Sequence, residues 1–515
     1  MVARNSAQYL LPHRLDPAEI GRALDPTFSV RPEGRATTGQ RAFYDTFDGR
    51  LHATSLSLVH EDGRLLLLDD GGQERACADW RSVRERLFAA DLPEGRLRDL
   101  LAPVVDIRAL TRIADVRAKS RLLRILDDEG KTVVRIRLEE PRALGVEGDG
   151  ALRPRLGAVA LRGYDKELER VCRLLEKGLG VSETSASVSD EAVALAGGVP
   201  GGLSSKPDVR LDANQRTDHA AAKVLLRLLD VMRLNLPGTL ADTDSEFLHD
   251  FRVAVRRSRS VQRELRRAFP PEPLAHYRSE FRWLQAVTGP SRDLDVYVLD
   301  FDYFRATLPP ERGPELEPLH KLLVRNRAKE RRRMVRALRS DRTAQLLDEW
   351  SRFLAGLERT DEDDRPDAAT PIKRVASARI ARVYGRMVKA GSAIDDSSPP
   401  EALHELRKQS KELRYLLEFF AGFYPAQVIK PKVRTLKSLQ DSLGRFQDRQ
   451  VQADLVRSLG DDLRHVEGGT AALLAMGQLV DRLERQQADA RDEFAERFAA
   501  FASREQRQLA KETFA

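Results

Sequence analysis

The sequence predicts an α+β N-terminal half built on an antiparallel sheet, followed by an all-α half made of two copies of one helical unit. Three observations predict it. Up to about residue 180, short alternating apolar runs are divided by turn residues. From about residue 211 the apolar period becomes helical, with few strand signals. A shift of 155 residues then brings this second half into ungapped register with itself. The expected boundaries are 1–180 for the first domain, 181–210 for a linker and 211–515 for the helical region. Its two copies span about 211–365 and 366–515.

In the first half, "LSLVHEDGRLLLLDD" (56–70) predicts a hairpin whose Asp62-Gly63 supplies the turn. "RLLRILDDEGKTVVRIRLEE" (121–140) predicts a second, with Asp128 to Gly130 at its tip, and "RLGAVALRG" (155–163) a further strand. Helices are expected near "DPAEIGRAL" (16–24), "DWRSVRERLFAA" (79–90) and "DKELERVCRLLEKGLG" (165–180). Residues 181–210 are rich in Ser, Gly and Pro with no sustained apolar face, which predicts a flexible linker. Beyond it, amphipathic runs such as "AAAKVLLRLLDVMRLNL" (220–236) and "ALLAMGQLVDRLERQQADARDEFAERF" (472–498) predict bundled helices.

The internal repeat carries the chemistry. Under the shift, His249 falls on His404, Arg252 on Arg407, Arg256 on Lys411 and Arg259 on Arg414. Further along, Leu284, Gln285, Gly289, Asp293 and Val296 meet Leu439, Gln440, Gly444, Asp448 and Val451. On a helix, His249, Arg252, Arg256, Arg259 and Arg263 fall within an arc of roughly 80°. His404, Arg407, Lys411 and Arg414 share a similar arc. Phe251, Val255 and Leu265, or Leu406, Leu413 and Leu417, are left for the core. Cations aligned over several turns match a line of negative charges, as in a polyphosphate or a nucleic-acid backbone. Arginine suits this task because its planar fork bonds two phosphate oxygens while staying charged. The histidines either add a donor at mildly acidic pH or, when neutral, hold a neighbouring arginine. Asp293 and Asp448, expected at helix starts, read as caps or as holders of basic side chains. "RNRAKERRRMVRALR" (325–339) has positive charge all round its helix and reads equally as a solvated surface or a site.

Composition narrows the partners. The 515-residue chain has a formal net charge of only +7, so any basic site must come from clustering of its 87 Lys and Arg among 80 Asp and Glu. Its two cysteines, Cys77 and Cys172, show no metal or disulfide spacing, which fits a reducing compartment. No apolar run approaches the roughly 18 residues of a membrane span, and the first residues lack the pattern of a secretory signal. A cytoplasmic protein without membrane contact is the expectation. There is no Walker loop, GxGxxG, HExxH, GxSxG or zinc cluster, so no cofactor and no metal is expected. The basic stripes lack the stacking aromatics of single-strand readers, and Tyr415 with Phe419 and Phe420 reads as core. A phosphate chain without bases is therefore favoured over RNA or DNA.

These residues resemble the CHAD family, the conserved histidine α-helical domain. Its members join an H-x-x-R-x-x-x-[RK] helix to a downstream L-G-x-x-x-D segment, in two related halves. Here "HDFRVAVRR" pairs with "TGPSRDLDV", then "HELRKQSKELRY" with "LGRFQDRQV". The resemblance covers about 211–515. It implies two antiparallel four-helix bundles related by a pseudo-twofold axis, with basic faces that bind inorganic polyphosphate, and association with polyphosphate granules. It points to His249, Arg252, Arg256 and Arg259, with His404, Arg407, Lys411 and Arg414, as binders. Arg227 and Arg382, also 155 apart, are additions, whereas Arg292 becomes Gln447 in the second copy.

"FYDTFDGRLHATSLSLVHEDGRLLLLDD" (43–70) is similar to the Y-D-T-x-x-x-x-L segment and hairpin of the CYTH family. That resemblance implies an eight-stranded antiparallel tunnel acting on triphosphates with a divalent metal held by an E-x-E-x-K strand. Here the place reads "AQYLLPHRL", with neither acid nor lysine. Without paired carboxylates a Mg²⁺ has no fixed position. The leading expectation is a non-enzymatic polyphosphate-binding protein. A divergent metal-dependent triphosphatase and an RNA-binding module are the alternatives.

Overall fold

The computed structural model describes residues 6–184, 186–206, 208–357, 364–395 and 397–514. The chain divides into two compact units, Met1–Ser205 and Lys206–Ala515.

Among the described residues of the first unit, ten strands form one sheet. They are β1 (Ser6–Leu10), β2 (Ser29–Pro32), β3 (Thr37–Thr46), β4 (Leu56–Glu61) and β5 (Arg64–Asp69), then β6 (Glu74–Asp79), β7 (Arg86–Leu87), β8 (Leu110–Leu126), β9 (Thr132–Ala143) and β10 (Arg155–Ala160). The order is β1-β10-β9-β8-β3-β4-β5-β6, with β2 and β7 added along the long β8. Every pairing is antiparallel. Both predicted hairpins form. Asp62 and Gly63 take left-handed φ values of 50° and 76°, which the two-residue turn between twisted strands requires. Among the described residues, five α-helices accompany the sheet: α1 (Pro17–Leu24), α2 (Arg50–Ala53), α3 (Arg96–Val105), α4 (Asp165–Leu179) and α5 (Val188–Leu195).

Strand alternation sorts the side chains onto two faces. One face packs Tyr9, Ile136 and Leu156 against α1 and α4, and Tyr44, Leu58 and Leu67 against α3. The other carries Ser6, Gln8, Arg41, Glu61, Glu139 and Arg155. The two ends of the sheet approach each other on this second face. A Cβ at Gly71, in the β5–β6 turn, would lie 2.8 Å from Ser6 Oγ, and one at Gly72 3.0 Å from Gln8 Nε2. The sheet is thus curled around its polar face into a half-barrel.

The half-barrel is not empty. The segment expected to be a flexible linker turns back onto the polar face, and its Val188–Leu195 is a helix. Ala192 of this helix is buried among Phe43, Val59, Val116 and Ala143. Arg155 donates to the Ala186 carbonyl and lies 3.0 Å from Glu191, which Arg153 also contacts. The reading of 181–210 as one flexible linker is corrected in this part, and residues 185 and 207 of it lie outside the described residues. Eight helical residues are too few to show a period against Ser- and Gly-rich flanks. The helix expected at 79–90 is also absent: Val83 is exposed, while Leu87 pairs with Leu110 as strand β7. The Y-D-T segment has a structural role. The buried Asp45 carboxylate accepts from the backbone N–H groups of Leu51 at 2.9 Å and His52 at 3.0 Å, capping α2.

The second unit is helical among its described residues. The first copy holds α6 (Thr217–Ala241), α7 (Ser245–Glu264), α8 (Pro271–Leu299), α9 (Phe301–Thr307), α10 (Glu317–Leu338) and α11 (Asp341–Gly356). The second holds α12 (Ile372–Gly391), α13 (Pro400–Phe420), α14 (Ala426–Ser458), α15 (Gly460–Leu463), α16 (Gly469–Phe501) and α17 (Arg504–Phe514). Shifted by 155 residues, α6, α7, α8 and α10 fall on α12, α13, α14 and α16, so each copy is built on four long helices. Asp244 starts α7 by accepting from the N–H groups of Glu246 and Phe247. Gly238 lets α6 meet this corner closely, since a Cβ there would come within 2.3 Å of the Phe247 ring. The basic run of α10 is partly structural: Arg327 and Arg331 both grip Asp242 at the α6–α7 corner.

Candidate functional site

The apolar stripe of α7, with Phe251, Ala254, Val255 and Val261, is buried in its bundle. That fixes Arg256, Arg259 and Arg263 on the flank facing the other copy. There α7, α8 and α13 enclose a cavity of about 490 Å³. Arg278 and Arg282 enter it from α8, and Lys408 and Lys411 from α13. Seven cations and a single carboxylate, Glu412, thus line one space, with Tyr415 in its wall.

Most of this charge is uncompensated. Among the described residues, Arg256, Arg278, Arg282 and Lys411 have no carboxylate within 4.0 Å, and the buried Arg256 Nε has no hydrogen-bond partner. Arg259 donates to Gln285 Oε1, and Lys408 pairs with Glu405 at 3.2 Å. Burial, reinforced by Arg407 and Arg256, pushes the Lys411 ammonium down to about 8. Burial and the neighbouring Arg282, Arg263 and Arg278 also lower Arg259. Cations crowded without acids are poised to gain from an anion.

The structure brings Arg256, Arg259, Arg263 and Lys411 to this cavity and leaves the other predicted residues outside its lining. Arg252 is turned into the α7–α8 contact, where it donates to the Gln285 carbonyl and Thr288 Oγ1, each at 2.9 Å. Its counterpart Arg407 pairs with Asp448 at 3.0 Å. Beside them stand the repeated glycines: a Cβ at Gly289 would lie 3.5 Å from Arg252 Nη1, and one at Gly444 3.8 Å from Arg407 Nη2. At both positions a Cβ would make only an ordinary contact with the repeated Arg. Arg414 pairs with Glu418 and donates to Gln440, as Arg259 does to the equivalent Gln285. His404 Nδ1 bonds Gln447 Oε1 at 2.5 Å, while His249 sits one turn before Arg252 on α7. Arg227 donates to the Lys206 carbonyl, and Arg382 lies beside Arg379 on α12.

Asp293 and Asp448 are not at helix starts. Both lie inside long helices, because α8 and α14 run straight through the Gly positions. Asp448 holds Arg407, and Asp293 is an electrostatic neighbour of Arg252, so neither caps a helix. Tyr415 is also not simply core, since it faces the cavity with Arg257 5.6 Å above its ring. Sequence reasoning missed Arg278, Arg282 and Lys408. One signal for the first two was their spacing of four, which puts them on one face of α8. They have no basic echo at Val433, although Lys437 echoes Arg282.

The family described as CHAD domain matches residues 223–457. Two uncharacterized proteins of Mycobacterium tuberculosis, from strains CDC 1551 and H37Rv, are each 29% identical over 228 residues. The match spans 42% of this chain and 42% of each relative. The crystal structure of the CHAD domain from the plant Ricinus communis is similar at 22% identity and a TM-score of 0.49, over 58% of this chain and 96% of that one. PptA from Streptomyces chartreusis is similar at 17% identity and a TM-score of 0.43, over 55% and 99%. The curled N-terminal half-barrel is consistent with a CYTH-like fold. With the repeated His–Arg helices and the Gly–Asp segments inside the matched residues, residues 223–457 form a CHAD domain.

Proposed function

We propose that the helical unit binds inorganic polyphosphate in the cavity between its two copies. The observation that carries this reading is the cavity itself, in which seven cations face one carboxylate and four of the cations have no acidic partner. A phosphate chain answers that charge without asking for base recognition. Tyr415 is the one aromatic residue of the lining, and one ring does not make a stacking platform for single-stranded RNA. The CHAD resemblance implies the same ligand. Association with polyphosphate granules follows from this reading. Among the described residues no helix is long and apolar enough to cross a membrane.

The same reading gives the N-terminal unit no catalytic part. The inward positions of β1 are Ser6, Gln8 and Leu10, none of which suits a divalent cation's need for carboxylate oxygens. The residues there do not fit the metal that a CYTH-like fold implies, and α5 occupies the adjoining face.

The test is competition at one salt concentration between long-chain polyphosphate, structured RNA and single-stranded RNA. Polyphosphate is expected to displace both RNAs, and its affinity to fall steeply with salt; counterion release on DNA gives the direction of that trend. Preference for RNA overturns the reading. Phosphate release from tripolyphosphate with Mg²⁺ or Mn²⁺, lost on mutation within residues 1–180, favours the enzymatic alternative.

A further inference from the structure

The cavity contains a feature that opposes an anionic ligand. Glu264 at the end of α7 and Glu412 on α13 are both buried, each at 7% exposure, and act on each other electrostatically across the two copies. One guanidinium serves both: Arg263 Nε donates to Glu264 Oε1 at 2.7 Å, and its Nη2 lies 2.9 Å from Glu412 Oε2. Arg386 of α12 donates to Glu412 Oε1 at 2.5 Å. Arg379 of α12 acts on Glu264, and Arg266, just beyond α7, acts on Arg379. From α13 itself, Lys408, Lys411 and Tyr415 share the cavity with Glu412.

These acids are not part of the repeated pattern. The shift of 155 residues sets Glu264 against Phe419 and Glu412 against Arg257. The helical unit therefore forms without an acid at either position. A buried carboxylate pair is costly, because two like charges in contact and away from water cannot both ionise freely. Burial, followed by the charge of Glu264, raises the Glu412 carboxyl above its ordinary value.

An anion reaching Arg263 competes with both acids for one guanidinium. If Arg263 turns to phosphate, a buried carboxylate loses its partner, which is strongly unfavourable while it stays charged. A proton on the pair removes that penalty and cancels one repulsive charge beside the ligand. We propose that Glu412, which lines the cavity, and its partner Glu264 are a proton-linked counter-charge, so that polyanion binding takes up a proton and tightens as the pH falls. This rests on the polyphosphate reading above.

The experiment measures the affinity of the full chain for long-chain polyphosphate, whose terminal groups are a minor share, from pH 7.5 to 5.5 at constant ionic strength. Wild-type affinity is expected to rise about tenfold over this interval, and calorimetry in buffers of different ionisation enthalpy to show net proton uptake. E412Q is expected to bind at pH 7.5 as the wild type does near pH 5.5, with a flattened pH profile. E264Q provides a second variant, and melting curves check the fold of each. An H249Q/H404Q variant is included to separate the carboxylate pair from the repeated histidines, and is expected to keep the wild-type slope whatever its absolute affinity. If the wild type binds but shows no proton uptake, or if E412Q and E264Q retain its slope, the proposal is overturned and the polyphosphate reading stands. If the wild type binds polyphosphate at no pH, both fall.

Discussion

Arg41 in the half-barrel and Arg256 in the helical cavity are both arginines withdrawn from water, and they are treated in opposite ways. Arg41 is 12% exposed and lies between Glu139 and Glu61, with its Nε 2.9 Å from Glu61 Oε1. Arg155, nearby on the same polar face, is matched by Glu191. Arg256 has a buried Nε without a partner, and around it stand Arg259, Arg282 and Lys411. A charge already paired within the chain gains little from a ligand, whereas a crowd of unpaired cations gains a great deal. The half-barrel sets its buried arginines against acids and is filled by α5. The cavity is electrostatically unfinished.

The largest test of this contrast is to discharge the cavity. Replacing Arg256, Arg259, Arg282 and Lys411 together by Ala should abolish measurable polyphosphate binding and flatten its salt dependence. Each lost charge-assisted contact is worth about 1.5 kcal/mol, or roughly tenfold. The melting temperature should hold or rise, because repulsion among the cations disappears. If binding survives, the phosphate chain lies elsewhere.

Next is Arg41→Ala, which strands Glu139 and Glu61. It should destabilise the first unit by about 3 kcal/mol in denaturant unfolding while leaving polyphosphate affinity unchanged. Although burial opposes it, the hydrogen bond and charge of Arg41 hold Glu139 below its ordinary range. A depressed carboxylate stabilises above its unfolded value, and that stability is lost as pH falls through the folded one. Wild type should therefore lose stability in acid below pH 4.5, and R41A should show less of that loss.

A smaller effect comes from Lys411. With its ammonium near 8, the charge is present below that value and lost above it. Polyphosphate affinity should drop by roughly tenfold between pH 7 and 9, and K411R should remove most of that drop, since a guanidinium stays charged throughout. The smallest is Gly444→Ala. A Cβ there meets Arg407 at an ordinary 3.8 Å, so a helix-favouring residue should cost nothing and add a few tenths of a kcal/mol by thermal melting.

Much of this was legible before any coordinates. The repeat of His249, Arg252 and Arg256 as His404, Arg407 and Lys411 announces two equivalent helices, and the helical period assigns their apolar side to a core. Hairpins declared themselves through Asp62-Gly63 because turn chemistry is local. Other elements were not legible. In "DWRSVRERLFAA" the strand pairing of Leu87 with a residue more than twenty positions away outweighed local helical preference. In α5, burial of Ala192 depends on a concave face assembled from β3, β4, β8 and β9.

By itself the sequence determined which side chains carry charge, that the helical unit occurs twice, and that β1 lacks the acids to hold a metal. Those properties are written in residue identity and spacing along one helix or strand. Only the tertiary structure decided which repeated arginines face a shared space. It turned Arg252 and Arg407 inward beside their glycines, brought the unrepeated Arg278 and Arg282 into the cavity, and set Glu264 against Glu412. Such choices depend on distances between helices that are remote in sequence, and electrostatic energy is decided by those distances.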